Sequence, residues 1–160
     1  VEQFLARVRA FKTKNGIDQD LIEADLAINA EGEPTGYWDD DALFRWKVDR
    51  QLVSASGESV AVLDLKTGNS ASLKWAQDQL DAYAYGAFCL YPEAKKVRCG
   101  LYSAKDEEFI WAELYRRETA ANSNTPAFLE EAAKATESRE PSTGRHCDWC
   151  KYQKICPAKK

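Results

Sequence analysis

The chain of 160 residues contains no methionine, a single histidine and no apolar run approaching the roughly 20 residues that span a bilayer. The missing run argues against a membrane-spanning helix, and no basic-then-apolar stretch at the start marks a secretory signal, so a soluble intracellular protein is expected. The lack of Met, together with Val at position 1, is expected of a fragment or a trimmed chain. Net positive charge is lacking as well: the formal charge is -4, which does not announce a nucleic-acid binder. Basic residues are nonetheless grouped at Arg7, Arg9, Lys12 and Lys14, at Lys95, Lys96 and Arg98, and at Lys151, Lys154, Lys159 and Lys160. No internal repeat or low-complexity tract occurs. Cysteines number five, an odd count without a secretory signal, which points away from a disulfide framework and toward a metal or a cluster.

What is present suits a folded domain. Hydrophobic residues make up 44% and charged residues 30%, proportions that exclude a disordered chain. The length fits one domain and is short for two of ordinary size, so residues 1–140 are expected to form the core and residues 141–160 a cysteine-rich tail of the same domain.

Apolar residues at Val1, Phe4, Leu5, Val8 and Phe11 have helical spacing, and Asn15-Gly16 is a stop signal, which predicts a helix over 1–14. Residues 21–29 alternate as a strand that sends Ile22, Ala24, Leu26 and Ile28 to one face and Glu23 and Asp25 to the other. Turn chemistry over 31–36 and the Asp39-Asp40-Asp41 run precede a second strand within 43–53, a hairpin loop over 54–59 and a third strand over 60–66. A long helix over 73–90 carries an apolar stripe of Leu73, Ala76, Leu80, Tyr83, Ala84 and Ala87, and Tyr91-Pro92 closes it. Strands are expected over 96–103 and 108–114, a helix over 128–136 and a linker over 140–144. This order predicts an α/β fold with a mixed central sheet flanked by helices.

The chemistry concentrates in Val62-Leu63-Asp64-Leu65-Lys66-Thr67-Gly68. Side chains on a strand repeat every second residue, so Asp64 and Lys66 share one face while Leu63 and Leu65 point into the opposite layer. A carboxylate can hold a hard divalent cation, and a nearby ammonium can orient a water and offset phosphate charge. Asp49 lies on the preceding strand, and a hairpin would bring it beside Asp64. Glu23 could add a third carboxylate from the first strand. Each residue has a plainer alternative. Asp64 with Lys66, or Asp49 with Arg50, could be a surface ion pair. Gln79 could be merely solvated, Tyr83 a core residue with a satisfied hydroxyl, and Glu23 an exposed edge residue. The lone His146 adjoins Cys147 and reads as a surface residue or a minor metal contact.

Taken together, Lys47-Val48-Asp49-Arg50, then Val62 to Gly68, then Gln79-Leu80-Asp81-Ala82-Tyr83-Ala84 resemble the PD-(D/E)xK nuclease superfamily, in particular its RecB-like exonuclease branch. The matching family patterns are a G-x-x-D-R strand, a D-Y-K-T-G strand and a Q-L-x-x-Y helix, in the same order and at similar spacing. The resemblance implies a restriction-endonuclease-like core and hydrolysis of DNA phosphodiesters with Mg2+ or Mn2+. It implies Asp49, Asp64 and the Leu65 carbonyl as metal ligands, Lys66 as the residue that positions the attacking water, and Gln79 and Tyr83 as helix residues facing the site. Bacterial or phage DNA replication, recombination or repair in the cytoplasm is the implied setting, with DNA as partner. A non-cleaving DNA-binding or scaffolding module and a structure-specific endonuclease are the alternatives. Two departures stand out. Trp46 occupies the position where the family usually has Gly, and no histidine in 1–16 matches the one many RecB-like domains carry upstream.

Cys147-x2-Cys150-x5-Cys156-Pro157 resembles the C-terminal part of the iron-sulfur staple of AddB-type and CRISPR-associated RecB-like nucleases. There a fourth cysteine precedes the core, whereas here the first cysteine is Cys89. A 4Fe-4S cluster is the expectation, with zinc or no metal as alternatives, and Cys99 on its apolar strand reads as a buried free thiol. Anaerobically purified protein is expected to contain iron and to show a broad visible absorption band, both lost in Cys150→Ser; iron-free, colourless protein would refute the cluster.

Overall fold

The computed structural model describes residues 2–68, 72–120, 143–151 and 153–158. It divides into two compact units, Val1–Thr125 and Pro126–Lys160. In the first, helix α1 (Glu2–Asn15) is followed by strands β1 (Ile17–Ile28), β2 (Pro34–Thr35), β3 (Phe44–Ser54) and β4 (Ser59–Lys66). Helix α2 (Leu73–Leu90), strands β5 (Lys96–Ser103), β6 (Glu108–Trp111) and β7 (Tyr115–Arg116), and the short helix α3 (Arg117–Ala120) complete it. In the second, the described residues form one 3-10 turn, Arg145–Trp149. The helix expected over 128–136 and most of the linker after it lie outside the described residues.

The strands form one mixed sheet in the order β2-β1-β3-β4-β5-β6, with β7 also on β5. β1, β3 and β4 are an antiparallel meander, whereas β4 and β5 are parallel from Ser59 opposite Lys96 to Lys66 opposite Ser103. A parallel pair needs a crossover, which α2 supplies. One face of the sheet packs on α1 through Phe4, Val8, Leu52, Ala61, Leu63 and Tyr102. The other packs on α2, where the expected stripe of Ala76, Leu80, Tyr83, Ala84 and Ala87 is buried against Val48, Val60, Val62 and Leu101. Gly16, at φ +59, ends α1 as the left-handed residue that commonly follows a helix.

The strand and helix assignments from sequence hold for β3, β4, α2 and β5, with three corrections elsewhere. β1 begins at Ile17 rather than 21, taking in the polar Asp18-Gln19-Asp20. The cause is long-range: Asp20 accepts two hydrogen bonds from Arg50 of β3, at 2.8 and 2.9 Å, and one from Lys12 of α1 at 2.6 Å. Burial pushes the Asp20 carboxyl up, but these hydrogen bonds and charges outweigh it and hold its pKa below the ordinary value. Arg50 is thus engaged with Asp20 rather than with its neighbour Asp49. The turn over 31–36 is held by Asn29 Oδ1, which accepts the Glu31 and Glu33 N–H groups, but its end forms the two-residue edge strand β2. The strand expected over 108–114 stops at Trp111, and β7 then resumes on the other half of β5, opposite Lys96 and Val97.

A further correction concerns the pleat. Ile22 does not share a face with Ala24, Leu26 and Ile28; it is 58% exposed while those three pack in or on the α2-side core. On β3, Trp46 and Val48 also lie in the α2-side core, yet Arg50 turns to Asp20, which Lys12 of α1 also holds, and Leu52 joins the α1-side core. Side-chain alternation therefore reverses in both strands at once, between Ile22 and Ala24 and between Val48 and Arg50. No residue is inserted, since Ile22 pairs Arg50 and Ala24 pairs Val48 in one continuous register.

Trp46, standing where the resembled family has Gly, is accommodated by a glycine elsewhere. A Cβ at Gly86 of α2 would lie 2.5 Å from Trp46 Cζ2, so the indole covers the helix backbone at that point. Gly86→Ala should destabilise the protein by about 1–3 kcal/mol through overpacking, and Trp46→Leu in the same chain should return part of that loss. Urea unfolding of the single and double variants measures both; additive losses would show that the two positions do not share the space.

Candidate active site

The site forms where β3 and β4 part. Their ladder runs from Val53 opposite Val60 to Arg50 opposite Leu63 and stops. One step beyond, the same register sets Asp49 opposite Asp64. Past that point side chains take up the backbone groups: Asp49 Oδ2 accepts the Leu65 N–H at 2.5 Å, and the Tyr83 hydroxyl donates to the Lys47 carbonyl at 2.9 Å. As expected from the strand period, Leu63 and Leu65 join the α1-side core while Asp64 and Lys66 face α2.

Asp64 is only 8% exposed. Its Oδ1 accepts a hydrogen bond from Gln79 Nε2 at 3.1 Å and lies 3.4 Å from the Tyr83 hydroxyl. Its Oδ2 accepts no hydrogen bond and has the Lys66 ammonium beside it at 2.6 Å as an ion-pair partner. Gln79, on the first turns of α2, ties the group together. Its Oε1 accepts from Lys66 Nζ at 3.1 Å, while Nε2 donates to both Asp64 and Tyr83, the latter at 2.6 Å. An amide has one acceptor end and one donor end. Here the oxygen meets the ammonium and the nitrogen meets the carboxylate and the phenol oxygen, which orients the Tyr83 proton toward the Lys47 carbonyl. Burial pushes the Tyr83 phenol up to about 12, assisted by the charges of Asp64 and Asp49 and opposed by the Gln79 hydrogen bond. Tyr83 is therefore a neutral donor at working pH and no base.

Five of the residues read from sequence, Asp49, Asp64, Lys66, Gln79 and Tyr83, are thus brought together. Leu65 contributes its N–H to the arrangement. Glu23, exposed on β1, is not gathered in: among the described residues no three His, Cys, Asp or Glu side chains converge as a metal-binding group. By the same measure Cys147, Cys150 and Cys156 do not converge; all three are free and half-buried, and Cys147 Sγ accepts the Gly144 N–H at 3.3 Å. Cys99 is a buried thiol whose pKa burial raises. Sequence reading missed one support of Lys66. The Ala104 N–H donates to its carbonyl at 2.9 Å, and the turn bearing Ala104 is fixed by buried Ser103, whose hydroxyl donates to Asp106 at 2.6 Å. The parallel pairing of Lys66 with Ser103, across the whole of α2, leaves no local signal for it.

A buried carboxylate, a second carboxylate opposite and an ammonium beside them are groups that can serve a hard divalent cation and a phosphate oxygen. Residues 4–157, nearly the whole chain, match the PD-(D/E)XK nuclease superfamily. The chain belongs to that superfamily. Among solved structures, this nuclease is similar to the crystal structure of SSO0001, with a TM-score of 0.49 and 18% identity over 98% of this chain and 67% of that one. It is also similar to an alkaline exonuclease, LHK-Exo, from Laribacter hongkongensis, with a TM-score of 0.43 and 9% identity over 86% of this chain and 66% of that one. No curated protein matches the sequence. No described helix of the nuclease is long and apolar enough to cross a membrane.

Removing the Tyr83 hydroxyl leaves the Lys47 carbonyl and one Gln79 N–H without partners. Tyr83→Phe is expected to cost about 1–3 kcal/mol in chemical unfolding; a variant as stable as the parent would show that the hydroxyl does not brace β3.

Proposed function

We propose that this nuclease hydrolyses DNA phosphodiester bonds with Mg2+ or Mn2+ and acts, in the manner of the RecB-like branch, as an exonuclease in DNA replication, recombination or repair. The observation that carries the proposal is the pair of carboxylates at the end of the β3–β4 ladder, buried Asp64 with Asp49 opposite it and the Lys66 ammonium beside Asp64 Oδ2. A buried carboxylate is costly unless a cation balances it, a part that Lys66 plays here and that a bound metal ion would share. Mg2+ typically binds through one or two carboxylates and keeps several waters, which suits two aspartates better than a closed protein cage.

In this reading Asp49, Asp64 and the Leu65 carbonyl would hold the ion, which would supply Lewis-acid polarisation of the phosphoryl oxygen and a lowered water pKa. Lys66 then turns from Asp64 toward the substrate, where its ammonium orients the attacking water and offsets the charge that develops on the phosphorus oxygens. Gln79 keeps hold of Lys66 through Oε1 and supports the scissile strand. Tyr83 braces β3 through Lys47, so that Asp49 keeps its place. Local basic groups on a chain of net charge -4 supply the contacts to the DNA backbone. The three tail cysteines enter no step.

Linear duplex and single-stranded DNA incubated with Mn2+ should be degraded by the parent chain and spared by Asp64→Ala; equal rates would defeat the enzyme reading. Binding of DNA without cleavage and without divalent metal would favour the non-cleaving module, and cutting of closed circular DNA the endonuclease. Metal binding has its own readout. Mn2+ at 100 times its dissociation constant should stabilise the parent by about 2.7 kcal/mol, seen as a higher Tm, and should leave the Tm of Asp49→Ala and Asp64→Ala unmoved.

A further inference from the structure

Glu23 lies within β1 at φ +48, a backbone conformation that glycine adopts freely and that residues bearing a Cβ rarely do. Among the described residues the other non-glycine residue with positive φ, Glu107, sits in the β5–β6 turn, where such geometry is ordinary. Glu23 has no turn to explain it. It falls where alternation reverses between Ile22, exposed, and Ala24, packed on the α2-side core, a step separate from the register shift that β1 shows between Ile17 and Gln19. Counting between the pairs Ile22 with Arg50 and Ala24 with Val48 sets Glu23 opposite Asp49, although these two are not themselves a ladder pair. At this same level β3 leaves β4, since their last ladder pair is Arg50 with Leu63. Three events therefore coincide at Glu23: a left-handed residue, a reversed pleat in two strands, and the opening that exposes Asp49 and Asp64 to each other.

We infer that Glu23 is a positioning residue that acts through its main chain: its left-handed conformation is the hinge at which the β1–β3 ribbon turns away from β4 and opens the metal-binding gap. The alternation shows why a hinge is needed. Had the α1-side parity of Arg50 and Leu52 continued, Val48 and Trp46 would follow them to that face, and Trp46 could not lie over Gly86 of α2. Reversal lets the ribbon give its apolar side to α2 while Asp49 stays on that side as well, next to Val48. The carboxylate of Glu23 is exposed and joins no ligand group among the described residues, so the inference needs the backbone of residue 23 and not its side chain. It builds on the nuclease reading for its metal readout alone.

The test compares Glu23→Gly, Glu23→Ala and Glu23→Val in the full chain, measuring Tm without metal and Mn2+ affinity by calorimetry. Neither Gly nor Ala carries a carboxylate, and they differ by one Cβ. At an ordinary strand position Ala is the more stable of the two; here the order is expected to invert, with Glu23→Gly at or above the parent Tm and Glu23→Ala below Glu23→Gly. Mn2+ affinity should be unchanged in Glu23→Gly and fall by about tenfold or more in Glu23→Val, the range seen when a support of metal ligands is lost. If Glu23→Val does not fold, the Gly and Ala pair reads the same contrast. The inference is overturned if Ala is as stable as Gly, or if Glu23→Gly loses Mn2+ affinity as Glu23→Val does, which would make the carboxylate itself a ligand. A parent chain that binds Mn2+ but leaves DNA intact would sink the nuclease reading and leave this one standing; if the parent binds no Mn2+, the Tm order decides.

Discussion

The β3–β4 ladder ends at Arg50 and Leu63, and the chemistry of this protein is built in the space that the ending creates. A continuing ladder would have covered the strand edges with backbone hydrogen bonds. Its interruption leaves backbone polar groups that must find other partners, because an unpaired buried N–H or C=O is expensive. Asp49 takes the Leu65 N–H, and Tyr83 reaches from α2 to the Lys47 carbonyl. The same side chains thus close the sheet and define the site. This double use accounts for the rigidity expected of a preorganised active site: Asp49 cannot shift without releasing Leu65, nor Tyr83 without releasing β3.

Electrostatics follow from that geometry. Asp64 lies nearly out of water, and a lone carboxylate there would be strongly disfavoured. Gln79 and Tyr83 serve one oxygen, and the Lys66 ammonium stands by the other without a hydrogen bond. Lys66 therefore offsets the charge that a cation would otherwise balance, and a metal bound there would compete with the ion pair for the same oxygen. The site is held together by α2 through Gln79, whose two ends discriminate ammonium from carboxylate and fix both. The crossover helix of the parallel pair is in this sense part of the site and not only its support.

Much of this was legible in the sequence, and the reason is local. Period-two and period-3.6 patterns placed β3, β4, α2 and β5, and three short motifs in order named Asp49, Asp64, Lys66, Gln79 and Tyr83. Where reading failed, the deciding contact was distant. Polar residues 17–20 became strand because Arg50 and Lys12 meet Asp20. Ile22 lost its apolar face because the pleat reverses beside it. The strand after β5 broke at Trp111 because two short strands share that edge of the sheet. The unusual Trp46 became intelligible only with Gly86, forty residues later on another element.

By itself the sequence determined the main helices and strands, the mixed α/β class and the candidates for the site's side chains, since helix and strand periods, turn residues and motif spacing are properties of neighbouring residues. The tertiary structure alone decided where the β3–β4 ladder stops, how Glu23 reverses the pleat, and that Gln79 clasps both Lys66 and Asp64. These depend on register and twist between strands brought together from different parts of the chain. Register is a property of the pair and not of either strand.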